Sequence, residues 1–348
     1  MLRLPSFTYL QPRTVAEALA MKADAGPEGM YVAGGTDLYP NMKRRHQEPR
    51  TVISLMGIPE LAGCEMRDAG CTVGPCVTLS DLTAQPAIRQ HYDTVAHAAE
   101  LVSTPLLRNM GTVGGNLCLD TRCNYYNQTY EWRRAIDFCM KKDGHICWVA
   151  PSSPRCWAVS SSDVAPVMVA LGAHYVLEGP GGERVVPAAR FYHNDGINYL
   201  TKQPDEILRA VRLPRPGGWD VVYHKLRRRD AFDFPVLGVA AWVRWERGSR
   251  NAERGTVEAA RIVLGGVASY PQEVPEAGAA LVGTELSDEA IAAAADAAYR
   301  PAKPLDNTDF DLSWRKQMTR VYVTRALVEL RERRSVALTP TAESRWKS

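Results

Sequence analysis

The most constraining feature of the sequence is a short apolar segment that ends on two consecutive glycines. Residues 30–33 (Met-Tyr-Val-Ala) predict a buried strand, and a glycine pair, a threonine and an aspartate follow it. Glycine lets the backbone approach a phosphate without a Cβ clash, and free N–H groups in such a turn bind anions. The first candidate cofactor loop is therefore Val32, Ala33, Gly34, Gly35, Thr36, Asp37 and Leu38.

A second glycine turn, at residues 111–116, also offers a hydroxyl and an amide for hydrogen bonds. A single turn of this kind is often only a tight turn. Two of them in one chain favour a cofactor that contains a diphosphate. The candidate residues of the second loop are Thr112, Val113, Gly114, Gly115 and Asn116.

Several common cofactor and catalytic motifs do not occur in the sequence. It contains neither the G-x-G-x-x-G dinucleotide fingerprint nor the G-x-x-x-x-G-K-[ST] phosphate loop. G-x-S-x-G and H-E-x-x-H are also missing, so hydrolase and zinc-protease functions have no support. A bound dinucleotide would therefore need a fold other than the Rossmann type.

The order of predicted elements indicates a mixed fold. Thr14 and Glu17 form a capping box that opens a helix to about Ala25, and residues 50–55 predict a second buried strand. Helices are expected near 79–90 and 94–103. Strands that alternate with helices predict an α/β or α+β domain.

The C-terminal third predicts a smaller α+β domain. Residues 214–218 (Pro-Arg-Pro-Gly-Gly) mark a plausible boundary before it. Strands at 236–243 and 261–264 precede helices at 287–299 and 313–333, with Ser287 and Ser313 as candidate N-caps.

Charge and hydropathy exclude two classes of partner. A formal charge of +3 is too small to indicate nucleic acid, and no apolar stretch has the roughly 18 residues of a spanning helix. The first residues lack the apolar core of a signal peptide. We therefore expect a cytoplasmic protein that binds neither nucleic acid nor a membrane.

A cysteine-rich stretch at about 118–158 interrupts the alternation of predicted strands and helices and is predicted to be an insertion. In a reducing compartment, clustered cysteines indicate metal or redox chemistry before disulfides. The intervals of 15, 7 and 8 residues match no common zinc or ferredoxin pattern, so packed thiols, a zinc site and an iron–sulfur cluster all stay open. The candidate ligands are Cys123, Cys139, Cys147 and Cys156.

Both glycine loops resemble known FAD loops. Residues 33–38 with Met42 and Lys43, and residues 108–116, are similar to the two FAD loops of the medium subunits in the xanthine dehydrogenase and carbon monoxide dehydrogenase superfamily. The resemblance covers nearly the whole chain. It implies an α+β fold with a vanillyl-alcohol-oxidase (PCMH-type) FAD-binding domain and a small α+β C-terminal domain of the CO dehydrogenase flavoprotein type. The implied domains are 1–216, with subdomains of about 1–55 and 56–216, and 217–348.

The same resemblance implies roles for individual residues. Both glycine loops would wrap the FAD pyrophosphate, and Asp163 would be the acidic residue on the adenosine side. Leu208 and Lys225 match positions near the flavin ring or its ribityl chain. A core leucine and a surface lysine are the alternative interpretations of these last two residues.

The insertion resembles that of the β subunit of 4-hydroxybenzoyl-CoA reductase, which carries an additional [4Fe-4S] cluster. The similar segment is 114–128, and the four candidate cysteines match the ligands of that cluster. Cys118 is expected to pack near the flavin loop, and Cys64, Cys71 and Cys76 to be ordinary core residues. Nearby basic residues could stabilise the reduced cluster or attract an acidic carrier, but most are expected on a solvated face: Arg122, Arg133, Arg134, Lys141 and Lys142.

The resemblance implies an electron relay that does not bind the organic substrate. FAD and the cluster would connect a ferredoxin-like carrier with a small [2Fe-2S] subunit and a large molybdopterin subunit, in a dimer of heterotrimers, for reductive dehydroxylation. One alternative keeps the fold and reverses the electron flow, as in an oxidising molybdenum hydroxylase. Another is an assembly protein with degenerate loops and a structural zinc.

Overall fold

The computed structural model describes residues 2–246 and 255–338. The strands of this described part are β1 Thr8–Leu10, β2 Gly29–Val32, β3 Thr51–Ser54, β4 Cys64–Arg67, β5 Gly70–Val73, β6 His174–Gly179, β7 Gly182–Pro187, β8 Ile207–Pro214, β9 Trp219–Leu226, β10 Leu237–Trp245, β11 Val257–Gly265 and β12 Gln272–Glu273. The helices are α1 Val15–Ala25, α2 Leu38–Lys43, α3 Leu79–Ala84, α4 Pro86–His91, α5 Asp93–Glu100, α6 Pro105–Arg108, α7 Val113–Leu117, α8 Tyr130–Ala135, α9 Val164–Leu171, α10 Ala188–Phe191, α11 Pro275–Ala279, α12 Asp288–Tyr299 and α13 Leu312–Leu338.

A small parallel sheet, in the order β1–β3–β2, forms the N-terminal part of the chain. Helix α1 packs on it, and the Thr14 side chain caps this helix by accepting a hydrogen bond from the Glu17 N–H at 3.1 Å. Val15 and Ala18 pack with Ile53 in one buried cluster. The predicted helix to Ala25 and the strand near 50–55 are confirmed, and β2 ends directly before the first glycine loop.

An antiparallel five-stranded sheet, in the order β4–β5–β8–β6–β7, forms the second layer. Helix α9 is buried along its whole length and lies in the same core cluster as α5. The single helix predicted over 79–90 is instead two helices. Gln85 has an extended backbone because the following Pro86 disfavours the helical conformation before it.

A four-stranded antiparallel sheet, in the order β12–β11–β10–β9, carries helices α11 to α13. Ser287 caps α12 as predicted, with its hydroxyl accepting from the Ala290 N–H at 3.2 Å. Ser313 as an N-cap is wrong, since α13 begins at Leu312. The carboxylate of Asp311 instead accepts from the Trp314 N–H at 2.8 Å, because aspartate is an equally good cap and precedes the helix.

The insertion contains a single short helix, α8, among the residues 118–158, and the rest is turns, bends, irregular backbone and isolated β-bridges. It returns to the main fold through paired backbone hydrogen bonds between Arg122 and Val159. Its small core is built around three of its cysteines together with Tyr126 and Ala158. A core this small favours an additional stabilising group in the insertion.

Arg315 on α13 joins three segments of the C-terminal part. Its fully buried guanidinium donates to the carbonyls of Val236, Gly266 and Leu305 at 2.8–3.3 Å.

We expect Arg315→Met to destabilise the fold by on the order of 3 kcal/mol, because these carbonyls would lose their donor. Thermal melting of the purified protein checks this.

The control is Arg320→Met on the same helix. Arg320 is exposed and pairs with Asp296, and exposed pairs contribute only about 0–1 kcal/mol. Equal melting temperatures for the two variants would contradict the role assigned to Arg315.

Candidate functional site

The two glycine loops lie against each other. A Cβ on Gly34 would stand 1.6 Å from the carbonyl oxygen of Met110, which directly precedes the second loop. Gly35 has a positive φ of 72°, and a Cβ there would stand 2.3 Å from the ring of Tyr39. The close contact with the Met110 carbonyl therefore requires a glycine at position 34, and the positive φ, together with the contact to Tyr39, requires one at position 35.

The loops differ in the hydrogen-bonding state of their backbone amides. The N–H groups of Val113 and Gly114 donate to Val77 and Pro75 carbonyls at 2.9 and 2.8 Å, and Gly115 donates to the Thr112 hydroxyl at 3.0 Å. In the part of the chain that the structure describes, no acceptor is found for the N–H groups of residues 34–38. The first loop is thus the one with amides free to bind an anion.

Asn116 ties the second loop to the segment that begins α9. Its side-chain oxygen accepts from the Ser162 hydroxyl at 2.7 Å and from the Val164 N–H at 3.3 Å. Asp163 lies between these two partners. The structure therefore brings Asp163 close to the second loop, and its role on the adenosine side of the cofactor stays a prediction.

Asp163 and Lys225 form a buried ion pair with each other. The Lys225 ammonium donates to the Asp163 carboxylate at 2.8 Å and also to the Leu101 carbonyl. The Tyr223 hydroxyl donates to the second carboxylate oxygen of Asp163 at 2.9 Å. Burial raises the pKa of Asp163 and lowers that of Lys225, and the attraction between them opposes both shifts. The alternative of a surface lysine is wrong for Lys225.

Leu208 lies on β8, opposite Leu177 of β6, and belongs to the main hydrophobic core. Its side chain is buried. The structure thus supports its interpretation as a core leucine, and a contact with the flavin stays a prediction.

The four insert cysteines surround one cavity. All four are buried, with exposed fractions of 4–8%. The cavity is small, with an interior volume of about 10 Å³. Its remaining lining consists of Tyr125, Tyr126, Met140, Lys141, Trp148, Val149 and Ala158.

Two of the thiols around this cavity, those of Cys123 and Cys156, are held in protonated form by burial. Burial raises the pKa of Cys123 to about 12 and that of Cys156 to about 11. A bound metal would reverse this, since thiolates are the ligating form. No group of three or more metal-ligating side chains within the described residues is placed to hold a single metal ion.

Two basic residues of the insertion are buried, contrary to the expected solvated face. The Lys141 side chain is 6% exposed, and its ammonium donates to Asp120, to Thr121 and to the Gly196 carbonyl at 2.6–2.8 Å. The Arg133 side chain is fully buried, with Asp143 at 3.5 Å. Buried charges need such partners, and a surface expectation based on charge alone misses them.

Two arginines of the insertion hold both ends of α2, the helix that follows the first glycine loop. Arg122 forms an ion pair with Asp37, whose carboxylate consequently does not cap the helix. Arg133 donates to the carbonyls of Arg44 and Arg45 at 3.1 and 3.3 Å, just beyond the helix end. We call these contacts the arginine clamp.

A histidine–tyrosine stack reinforces the arginine clamp. His46 packs on Tyr126 with ring centroids 4.1 Å apart, and Tyr126 lines the cysteine cavity. Burial, followed by the charges of Arg133 and Arg44, lowers the pKa of His46 to about 4, so the ring is neutral at neutral pH. Sequence reasoning missed His46, because no spacing or motif connects it to the insertion.

Comparison with known proteins places this geometry in a family. Residues 5–216 match the FAD binding domain in molybdopterin dehydrogenase, and residues 221–330 match the CO dehydrogenase flavoprotein C-terminal domain. The chain belongs to the family of FAD-binding subunits of molybdopterin dehydrogenases. It is thus an oxidoreductase subunit, and the predicted α+β fold with a CO dehydrogenase-type C-terminal domain is confirmed.

Similar proteins cover almost the whole chain. The carbon monoxide dehydrogenase medium chain of Hydrogenophaga pseudoflava is 29% identical over 93% of this chain and 96% of its own length. The aldehyde oxidoreductase FAD-binding subunit PaoB of Escherichia coli strain K12 is 32% identical over 89% of this chain and 94% of its own. In the crystal structure of the Cu,Mo-CO dehydrogenase, a chain with 26% identity superposes with a TM-score of 0.78, covering 95% and 99% of the two chains. None of the helices in the described residues has the length and apolarity needed to cross a membrane.

Gly35→Val tests the first loop. The new side chain would overlap Tyr39 and would have to adopt a positive φ, so we expect the purified complex to lose its flavin. Flavin absorbance per protein after desalting measures this.

Acid should release the wild-type flavin into the supernatant, because no histidine or cysteine stands in either loop to attach it covalently.

The matched control is Gly181→Val, where a Cβ meets no atom within 4 Å. This variant should keep wild-type flavin content. Full flavin retention by Gly35→Val would show that the first loop does not form the cofactor site.

Proposed function

We propose that this chain is the electron-transfer subunit of a molybdenum hydroxylase complex and holds both FAD and a [4Fe-4S] cluster. The observation that carries the proposal is the arginine clamp, which joins the first glycine loop to the insertion with the four-cysteine cavity. FAD, when bound, exchanges one or two electrons and so connects two-electron chemistry with one-electron centres. The chain's own task is to hold the two groups close together.

The residues of the first loop fit an FAD pyrophosphate. Gly34 and Gly35 leave the backbone uncovered, and the amides of 34–38 are available to an anion in the described part of the chain. The second loop would support this cradle through its close contact with Gly34, because its own amides at 113–115 are already bonded. Asp163 and Lys225 would act as a fixed ion pair beside the cofactor.

The arrangement of the four cysteines favours a polynuclear cluster, since they surround a common space and do not converge on a single point in the described part of the chain. A single zinc ion draws four sulfur atoms together at about 2.3 Å from one point and leaves no space between them. A [4Fe-4S] cluster instead fills a cavity that four thiolates surround. Cys123, Cys139, Cys147 and Cys156 would ligate it, with the Lys141 ammonium at the cavity wall favouring added negative charge on the cluster.

The names of the relatives favour electron flow out of the molybdenum centre. Carbon monoxide dehydrogenase, nicotine 6-hydroxylase and nicotinate dehydrogenase are all names that describe oxidations. We therefore propose an oxidising complex in which electrons reach the flavin from molybdenum and leave through the added cluster. The organic substrate is bound by another subunit.

Reductive dehydroxylation, as in 4-hydroxybenzoyl-CoA reductase, is the second candidate. The cavity formed by all four insert cysteines favours it, since the insertion resembles the one in that enzyme. The two directions of electron flow differ in the donor that reduces the flavin, which is seen as loss of its absorbance. An organic substrate alone suffices in the oxidising complex, whereas the reductive one needs a reduced ferredoxin-like donor.

The proposed partners are a large molybdopterin subunit and a small [2Fe-2S] subunit, in a dimer of heterotrimers.

The proposal also includes the division of the chain into two domains at residue 216. Strand β8 ends at Pro214, β9 begins at Trp219, and the two strands lie in different sheets. An assembly protein with a structural zinc receives no support from the first glycine loop, whose anion-binding geometry is intact.

Cys139→Ser tests the cluster ligands. We expect the variant to lose the iron of this cluster and its EPR signal after dithionite reduction, because serine oxygen is a poor substitute for thiolate on iron. Most of the FAD should stay bound, since the glycine loops lie outside the insertion. Iron analysis and low-temperature EPR of the purified complex measure both effects.

Cys76→Ser is the control, because Cys76 is a buried cysteine that packs in the N-terminal cluster with Ile53 and lies outside the cavity. It should leave the iron content unchanged. Full iron and an unchanged EPR signal in Cys139→Ser would refute the ligand assignment.

A further inference from the structure

A second pair of cysteines lies outside the cofactor site, on the hairpin of β4 and β5. In this hairpin Cys64 pairs with Val73, and Met66 pairs with Cys71. The two cysteines are therefore diagonal neighbours on adjacent strands. Their side chains therefore share one face of the hairpin. The two Sγ atoms are 3.2 Å apart, so the expectation that both are ordinary core cysteines is incomplete.

The two thiols differ in their exposure to solvent, as the two cysteines of a redox pair often do. Cys64 is partly exposed on β4, the edge strand of its sheet, whereas Cys71 is 1% exposed and belongs to the main core. The hydrogen bond between the two thiols lowers the pKa of Cys64. The same hydrogen bond, followed by burial, raises the pKa of Cys71. Because Cys64 is the more accessible thiol, a solvent-borne oxidant reaches it first, and Cys71 is the sheltered thiol beside it.

We propose that Cys64 and Cys71 form a reversible redox pair that a peroxide converts into a disulfide. The Cys64 thiolate attacks a peroxide oxygen, which gives a sulfenic acid and releases hydroxide. The Cys71 sulfur then attacks the Cys64 sulfur, the S–O bond breaks, and water leaves. Two thiols are oxidised, one hydrogen peroxide is reduced to two waters, and an added dithiol reverses the change.

The pair lies in the element that supports the second glycine loop. Strand β5 ends at Val73, and the carbonyls of Pro75 and Val77 directly after it accept the N–H groups of Gly114 and Val113. A disulfide would fix the hairpin that carries this support. The redox pair itself does not depend on the proposed cofactors, so it can fail or hold independently of the proposed function.

The test uses the intact complex, purified without oxygen and exposed to a small excess of hydrogen peroxide. Free thiols are then alkylated and the chain is digested with trypsin. Cleavage after Arg67 separates Cys64 from Cys71. We expect a disulfide-linked pair of peptides, lighter by two hydrogens than the sum of the reduced peptides, that separates on treatment with dithiothreitol.

Two variants identify the partner of Cys64, because Cys71 and Cys76 lie in the same tryptic peptide. Cys76→Ser should keep the link, since the thiol of Cys76 contacts the Leu55 carbonyl instead. Cys71→Ser should lose it. A link that persists in Cys71→Ser, or complete alkylation of both cysteines after peroxide treatment of the folded wild type, would overturn the proposal.

Discussion

The arrangement of the site depends on the arginine clamp between the insertion and helix α2. Arg122 binds Asp37 where the first glycine loop enters the helix, and Arg133 binds two carbonyls just beyond the other end. An isolated buried guanidinium costs several kcal/mol, so both side chains are stable only in contact with these partners. The clamp therefore fixes the position of the insertion relative to the loop that would hold the FAD pyrophosphate.

The clamp also gives the electron relay a physical basis. Transfer between two cofactors requires that they are held at a constant and short separation, and a loosely attached insertion would not provide this. Tyr126 strengthens the connection, because it lines the cysteine cavity and stacks on His46, three residues beyond α2. The cysteine cavity is thus attached to the first glycine loop by charge, by hydrogen bonds and by an aromatic contact.

The sequence was sufficient to predict the elements whose signals are local. The helix capped by Thr14, the strand before Gly34 and the helix capped by Ser287 all depend on a few neighbouring residues. Contacts between distant segments could not be predicted in this way. The burial of Arg133 and Lys141 and the pairing of Asp163 with Lys225 join residues that lie far apart in the sequence, and charge alone places such side chains at the surface.

The proposed relay requires that one chain holds FAD and a four-iron cluster side by side. The most direct test is the flavin and metal content of the complex purified without oxygen. We expect about one FAD and about four irons per copy of this chain, in addition to the iron of the small subunit. Zinc in place of these irons, or a complex without flavin, would contradict it.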